Sequence, residues 1–325
     1  MTQKGLFNKI NGNFKNKDIV SLRQFDTKSI YKLFKVTKKM ADIAKHAKSS
    51  NILKGNIVTL LFYEPSSRTF GSFAAAAKQL SGHTIEIINP TDFSSVSKGE
   101  TFEDTIRVFE AYCDLIVLRH PEKGAAQKAA EIAKFVPVIN AGDGIGEHPT
   151  QALLDLYTIY QKFGKLNNLT GLFAGDLLNG RTVKSLLRGL SLFSNNIAYL
   201  LSPKQLKLSR EDFDDFKKSG LKLIEIENKK DIPKNANFWY WTRTQKERFK
   251  NKKNYEEVKN KFIVTKKVLQ DFGNKDMILM HPLPRVGEIL PEVDGDKRAV
   301  YLTSEIRNGM YIRMALLSLV LGKIK

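Results

Sequence analysis

Short apolar runs alternate with amphipathic stretches along this chain. The first run, Ile57-Val58-Thr59-Leu60-Leu61-Phe62, has no polar face, the pattern of a strand buried on both sides. Strand-like runs follow at 84–88, 115–118 and 136–139, and helical periodicity fills 26–48, 100–112 and 123–134. Behind the first run, Phe70, Phe73, Ala74 and Ala77 recur at helical spacing, and Gly82 is expected to cap that helix. A long helix over 149–163 leads into a second alternation, with strands at 171–174, 197–201, 222–226, 238–241 and 277–280 and helices at 181–193 and 209–219. Strands that alternate with helices predict parallel sheets covered on both faces. The expected fold is α/β: two doubly wound parallel-sheet domains over 1–149 and 150–303, joined by crossing helices. An apolar helix over about 304–325 is expected to pack back on the first domain.

Composition narrows this picture. A chain of 325 residues with 42% hydrophobic content can bury two cores. One cysteine, Cys113, excludes an internal disulfide and suits a reducing, cytoplasmic setting. No apolar run reaches the roughly 18–20 residues of a membrane span, and the first fifteen residues lack the apolar core of a secretion signal. They also hold neither acid nor arginine, which leaves organellar targeting open. The net charge of +19 raises nucleic-acid binding as a possibility. The charge is mostly lysine interleaved with asparagine, however, and Lys28, Lys32, Lys35 and Lys39 fall opposite Ile30, Leu33 and Phe34 on one helix, a solvated face. The basic stretch 244–267 reads as a mobile lid or outer loop.

Polar residues of chemical interest collect just past the strand ends, where open α/β sheets bind ligands. Ser66, Ser67, Arg68 and Thr69 stand where a strand hands over to a helix, so hydroxyls, a guanidinium and free amide groups meet the positive helix end. Ser94, Ser95 and Lys98 follow the second strand, Arg119 and His120 the third, and His148-Pro149-Thr150-Gln151 the fourth. In the second half Arg181 opens a helix, Arg243 and Gln245 follow Phe238-Trp239-Tyr240-Trp241, and His281-Pro282-Leu283-Pro284-Arg285 follows the last strand. Two arginines suit two carboxylates. Taken singly, each has a plainer reading: a solvated lysine, a capping arginine, a structural histidine. No set of His, Cys, Asp or Glu has metal-ligand spacing, and no glycine-rich phosphate loop is present, so neither metal nor cofactor is expected.

Together, Ser66-Ser67-Arg68-Thr69, Ser97-Lys98-Gly99-Glu100-Thr101, Arg119-His120-Pro121, His148-Pro149-Thr150-Gln151, Gly180-Arg181-Thr182, Thr242-Arg243-Thr244-Gln245 and His281-Pro282-Leu283-Pro284-Arg285 resemble, in order, the aspartate carbamoyltransferase catalytic chains of the aspartate/ornithine carbamoyltransferase family. The likeness runs from about residue 17 to the C-terminus. His-Pro-Thr-Gln and His-Pro-Leu-Pro favour the aspartate branch, since ornithine-using relatives typically carry cysteine in both places. Serine stands at Ser67 where the family usually has threonine, which keeps the hydroxyl.

The resemblance implies transfer of a carbamoyl group from carbamoyl phosphate to L-aspartate, the committed step of pyrimidine synthesis. It implies a carbamoyl-phosphate domain first and an aspartate domain second. Ser66, Ser67, Arg68, Thr69, Ser94, Lys98, Arg119, His148, Gln151, Pro282 and Leu283 would bind carbamoyl phosphate, with Arg68, Thr69, Lys98, Arg119 and His148 as the catalytic set. Lys98, Arg181, Arg243 and Gln245 would grip aspartate. It also implies a homotrimer in which Ser94 or Ser95 and Lys98 reach a neighbouring subunit's site; a separate regulatory chain remains possible. The alternatives are a carbamoyltransferase with ornithine or putrescine as acceptor, and a non-catalytic anion- or nucleic-acid-binding protein.

Overall fold

The computed structural model describes residues 8–47, 49–245, 252–259 and 261–324. The chain divides into two compact units, one running to Leu153 and resuming at Arg307, the other Leu154–Ile306.

In the first unit, strands β1 (Ile57–Phe62), β2 (His83–Ile88), β3 (Leu115–His120) and β4 (Val138–Asp143) form a parallel sheet in the order β2-β1-β3-β4. Helices α1 (Thr27–Asp42), α2 (Ser67–Gln79), α3 (Pro90–Phe93), α4 (Phe102–Glu110) and α5 (Ala125–Ile132) connect or precede them. The dense apolar runs have a simple cause. On one face Leu61, Ile116, Leu118 and Val138 pack against Ile106 of α4 and Ala126 and Ala129 of α5. On the other, Leu60 and Val117 stand in register and are fully buried too. Side chains alternate between faces, so a strand covered twice has no room for a polar residue. Edge strand β2 is half exposed, and its Glu86 pairs with Lys78.

Helix α2 ends one residue earlier than glycine placement suggests. Ser81, not Gly82, takes the left-handed conformation, at φ 59°. Gly82 N–H bonds to Ala77 O and Ser81 N–H to Lys78 O, which together satisfy the last carbonyls. Gly82 is needed for closeness instead: a Cβ there would lie 3.1 Å from Leu53 Cβ and 3.2 Å from Ala77 O.

Helix α6 (Pro149–Phe163) begins in the first unit and ends in the second. The second unit then builds β5 (Thr170–Ala174), α7 (Arg181–Leu190), β6 (Ile197–Leu201), α8 (Arg210–Lys218), β7 (Lys222–Ile226), β8 (Phe238–Trp241), α9 (Lys252–Val258), α10 (Lys266–Phe272) and β9 (Ile278–Met280). The sheet is parallel, in the order β7-β6-β5-β8-β9. All four residues of β8 are buried, and Gly171 on neighbouring β5 makes space for Phe238, whose ring would lie 2.2 Å from any Cβ there.

The stretch 244–267 is only partly the outer loop its charge suggests. Residues 246–251 and 260 lie outside the described residues. Phe262 and Val264 belong to the core: Val264 is fully buried and bridges Ile289, and Trp241 Nε1 donates to Phe262 O at 3.1 Å.

Helix α11 (Ser304–Val320) closes the chain. From Arg307 it belongs to the first unit, where Asn16 N–H reaches Val320 O at 2.9 Å and Arg313 lies over the Phe73 ring. No described helix is long and apolar enough to cross a membrane.

Candidate active site

Strand order decides where each unit can bind a ligand. In the first sheet the chain steps from β1 outward to β2, then returns to β3 on the other side of β1. The loops leaving β1 and β3 therefore diverge, and a crevice opens between them at the carboxyl edge. Ser66–Thr69 follow β1 and Arg119 is on the last turn of β3, so both flank that switch point. They are joined directly: Tyr63 N–H donates to Arg119 O at 2.8 Å.

Ser66 sits at the head of α2 but does not cap it with its hydroxyl. The first intrahelical bond runs from Phe70 N–H to Ser66 O, so the amides of the preceding turn project from the helix end. Together with the Ser66 and Ser67 hydroxyls and Arg68, half-buried to exposed, these amides are groups that can hold an anion. Thr69 is buried at the base of the turn.

Arg119 owes its position to an irregularity in β4. Leu118 pairs with Asn140 but His120 pairs with Asp143, so Ala141 and Gly142 together oppose Arg119. Such a bulge re-aims the side chain it faces. Arg119 is 6% exposed, and its guanidinium donates to Ala141 O at 3.1 Å and pairs with Glu64 at 2.6 Å. Glu64 was not marked by sequence as a site residue, although it lies in the same turn as Ser66. Its carboxylate holds the guanidinium that an incoming anion would need. Beneath the bulge, His120 packs against Tyr63 and Phe102, and burial keeps its imidazole below its usual range.

His148 is 4% exposed and precedes α6, with its carbonyl accepting from Gln151 and Ala152. Arg313 donates to Thr150 Oγ1 at 3.3 Å, and Thr150 Oγ1 lies 3.5 Å from His148 Nδ1. The tautomer in which Nδ1 accepts from that hydroxyl carries its proton on Nε2, where it can hydrogen-bond a carbonyl oxygen. Gln151 is half-buried on the first turn of α6. Ser94 and Lys98 lie past edge strand β2. Ser94 Oγ donates to Pro90 O at 2.6 Å and accepts from Val96 N–H, while Lys98 is exposed.

The second unit repeats the logic. Its switch point falls between β5 and β8. The β5 exit carries Gly175 through Arg181, and the β8 exit carries Thr242 through Gln245. The two are clamped together: Thr242 N–H and Oγ1 both bond Ala174 O, and a Cβ on Gly175 (φ 110°) would strike Thr242 O at 2.1 Å. Asp176, fully buried, ties the turns. It accepts from Asn179 N–H at 3.0 Å, from Asn179 Nδ2, and from Gln245 N–H at 3.3 Å. Burial pushes its carboxyl above the usual range, against the pull of those donors and of the Arg243 charge. Asp176 was missed by sequence reading, though Asp-x-x-Asn before a helix is a recognisable side-chain-capped turn. Arg181 opens α7, and Gly180 before it offers no side-chain cap.

Pro282 and Leu283 follow β9, so the structure places them in the second unit, apart in sequence from the other carbamoyl-phosphate candidates. Leu283 is held at φ 54°, a left-handed conformation rare for a leucine. Its N–H donates to His281 Nδ1 at 2.8 Å, so the His281 ring proton is on Nε2 and meets Glu288 at 2.7 Å. Burial pushes the Glu288 carboxyl up, but the His281 contact outweighs it and leaves the group below its usual range. The Leu283 amide is thus engaged within the turn. Among the described residues no group of three or more His, Cys, Asp or Glu is placed to hold a metal ion.

These features define a doubly wound α/β protein whose switch points carry hydroxyl, arginine and histidine side chains in one unit and two arginines in the other. Residues 17–161 match the model of the aspartate/ornithine carbamoyltransferase carbamoyl-P binding domain, and residues 167–320 that of the Asp/Orn binding domain. The chain belongs to the aspartate/ornithine carbamoyltransferase family. It is 46% identical to a chloroplastic aspartate carbamoyltransferase of Arabidopsis thaliana, over 95% of this chain and 78% of that protein. It is 45% identical to the aspartate carbamoyltransferase catalytic subunit of Methanocella arvoryzae, over 95% and 99%. It is also 44% identical to the multifunctional protein pyr1-3 of Dictyostelium discoideum, but spans only 14% of that protein's length. Among solved structures it is similar to the M. jannaschii aspartate transcarbamoylase catalytic subunit, with TM-score 0.85 and 41% identity over 93% of this chain and 96% of that one. The Trypanosoma cruzi aspartate transcarbamoylase, solved with carbamoyl phosphate and aspartate, gives TM-score 0.88 and 35% identity over 96% and 99%.

Proposed function

We infer that this chain is an aspartate carbamoyltransferase: it transfers the carbamoyl group of carbamoyl phosphate to the amine of L-aspartate, giving N-carbamoyl-L-aspartate and phosphate. The observation that carries this reading is the pairing of an anion cradle at the β1/β3 switch point with arginines at the β5/β8 switch point. Full-length likeness to the Methanocella catalytic subunit supports it.

In this reading Ser66, Ser67, Arg68 and the α2 amides hold the phosphate. Thr69, Arg119 and His148 Nε2–H donate to the carbamoyl oxygen, on which negative charge builds as the amine adds to carbon. Lys98 adds positive charge beside the leaving group. Gln151 and the carbonyls of Pro282 and Leu283 orient the carbamoyl nitrogen. Arg181, Arg243 and Gln245 bind the aspartate carboxylates. The new C–N bond forms, the C–O bond to phosphate breaks, and the departing phosphate takes up the amine proton. Nothing covalent with the protein is needed; the gain comes from positioning and fixed dipoles. Carbamoyl transfer from carbamoyl phosphate to aspartate, ornithine and putrescine should be measured side by side. Turnover with aspartate alone is expected, and turnover with ornithine or putrescine in its place contradicts the assignment.

The reading includes a homotrimer whose members exchange Ser94 and Lys98, in a reducing compartment such as the cytoplasm. Lys98→Ala and Arg68→Ala chains should each lose most activity and regain part of it when mixed and reassembled. Mixtures no more active than their parents, under conditions of subunit exchange, would rule out a shared site.

A further inference from the structure

Two carboxyl groups lie beneath the strand ends of the second unit, Asp155 on α6 and Glu305 at the start of α11, at 0% and 2% exposure. Their side chains are hydrogen-bonded to each other, which requires a proton between them. The surrounding bonds occupy one oxygen of each carboxyl. Glu305 Oε2 accepts from His281 N–H at 3.1 Å, while Glu305 Oε1 is buried and accepts nothing. Tyr240 Oη donates to Asp155 Oδ2 at 2.9 Å and itself accepts from the Thr182 hydroxyl. One proton shared between Glu305 and Asp155, carried by either carboxyl, gives every bond in the series a donor and an acceptor. Burial and the neighbouring Asp155 charge push the Glu305 carboxyl far above its usual range, against the pull of the His281 amide.

The series ends at the three loops that carry the second unit's candidate groups. Thr182 follows Arg181 directly. Tyr240 stands three residues before Arg243 on the same strand exit. His281 opens the turn that presents Pro282 and Leu283. We propose that Glu305, joined to Asp155 through one shared proton, is a positioning residue that sets these three loops relative to one another for aspartate capture. Glutamine in its place keeps a donor and an acceptor; alanine keeps neither. The proposal rests on the carbamoyltransferase reading.

The test compares the full-length chain with Glu305→Gln, Glu305→Ala and Tyr240→Phe, reading kcat, the KM for each substrate, and the infrared carbonyl band of a protonated carboxyl group. Glu305→Gln is expected to hold kcat and both KM values within about twofold and to abolish the acid band. Glu305→Ala and Tyr240→Phe are expected to raise the aspartate KM about tenfold while leaving the carbamoyl phosphate KM unchanged. Tyr240→Phe keeps the ring's packing and reads the same bond should the alanine chain fail to fold. An acid band that is absent from the parent, or that persists in Glu305→Gln, overturns the proposal. So do aspartate kinetics unchanged in Tyr240→Phe, or equal losses for both substrates. A parent chain that forms no carbamoyl aspartate would instead sink the functional reading, with the infrared result still standing for the shared proton.

Discussion

Arg119→Ala should lower kcat/KM by about a thousandfold or more while the chain stays folded. The substitution removes a donor to the carbonyl oxygen, worth about 2.7–4 kcal/mol where charge develops, together with a charge-assisted contact of roughly 1.5–3 kcal/mol to the substrate. The structural cost is smaller. Ala141 O loses one donor. Glu64 loses its ion pair, but its side chain is 32% exposed and can turn to water instead of remaining a buried lone charge. A loss of about 1–3 kcal/mol of stability is expected, visible in a thermal melt, beside the far larger loss in turnover. Arg119→Lys should fall between, since an ammonium keeps the charge without the two-pronged reach. An alanine chain within tenfold of the parent would remove Arg119 from the catalytic set.

Asp176→Ala should cut kcat/KM for aspartate by about 30- to 150-fold, although Asp176 is expected to touch no substrate. It is the acceptor shared by the β5 and β8 exits, holding Asn179 on one side and Gln245 on the other. Removing it leaves those donors without their oxygen, about 2–3 kcal/mol for bonds to an ionised group, and frees the segment that aims Arg243. The proposed phosphate site is in the other unit and should keep its affinity for inorganic phosphate, as read by calorimetric titration. If phosphate binding and aspartate kinetics fall together, Asp176 matters for the fold as a whole and not for these two turns.

Strands and candidate site groups were legible in sequence because several dense apolar runs end abruptly in hydroxyls, arginines or histidines. The switch points were not, because nothing local in Ile57–Phe62 states that it pairs with both His83–Ile88 and Leu115–His120. The same limit hid Glu64 and Glu305. An acid reveals its role only when its partner is known, and Arg119 and Asp155 lie far along the chain from them. Asp176 differed: its partner Asn179 is three residues away, so its turn was readable. Residues 262–267 misled through charge. Lys266 and Lys267 are exposed, but Phe262 and Val264 fix it into the core. Gly82 misled through residue type, since a serine took the left-handed position and the glycine served close packing.

The claim on which the account rests is a division of labour between the two strand-end sites. A crystal structure of the chain with N-(phosphonacetyl)-L-aspartate, which joins an anionic phosphonate to an aspartate in one molecule, tests it most directly. The phosphonate is predicted to lie against Ser66, Arg68, Thr69 and Arg119, and the two carboxylates against Arg181 and Arg243. A phosphonate bound elsewhere, or carboxylates met by neither arginine, would contradict it.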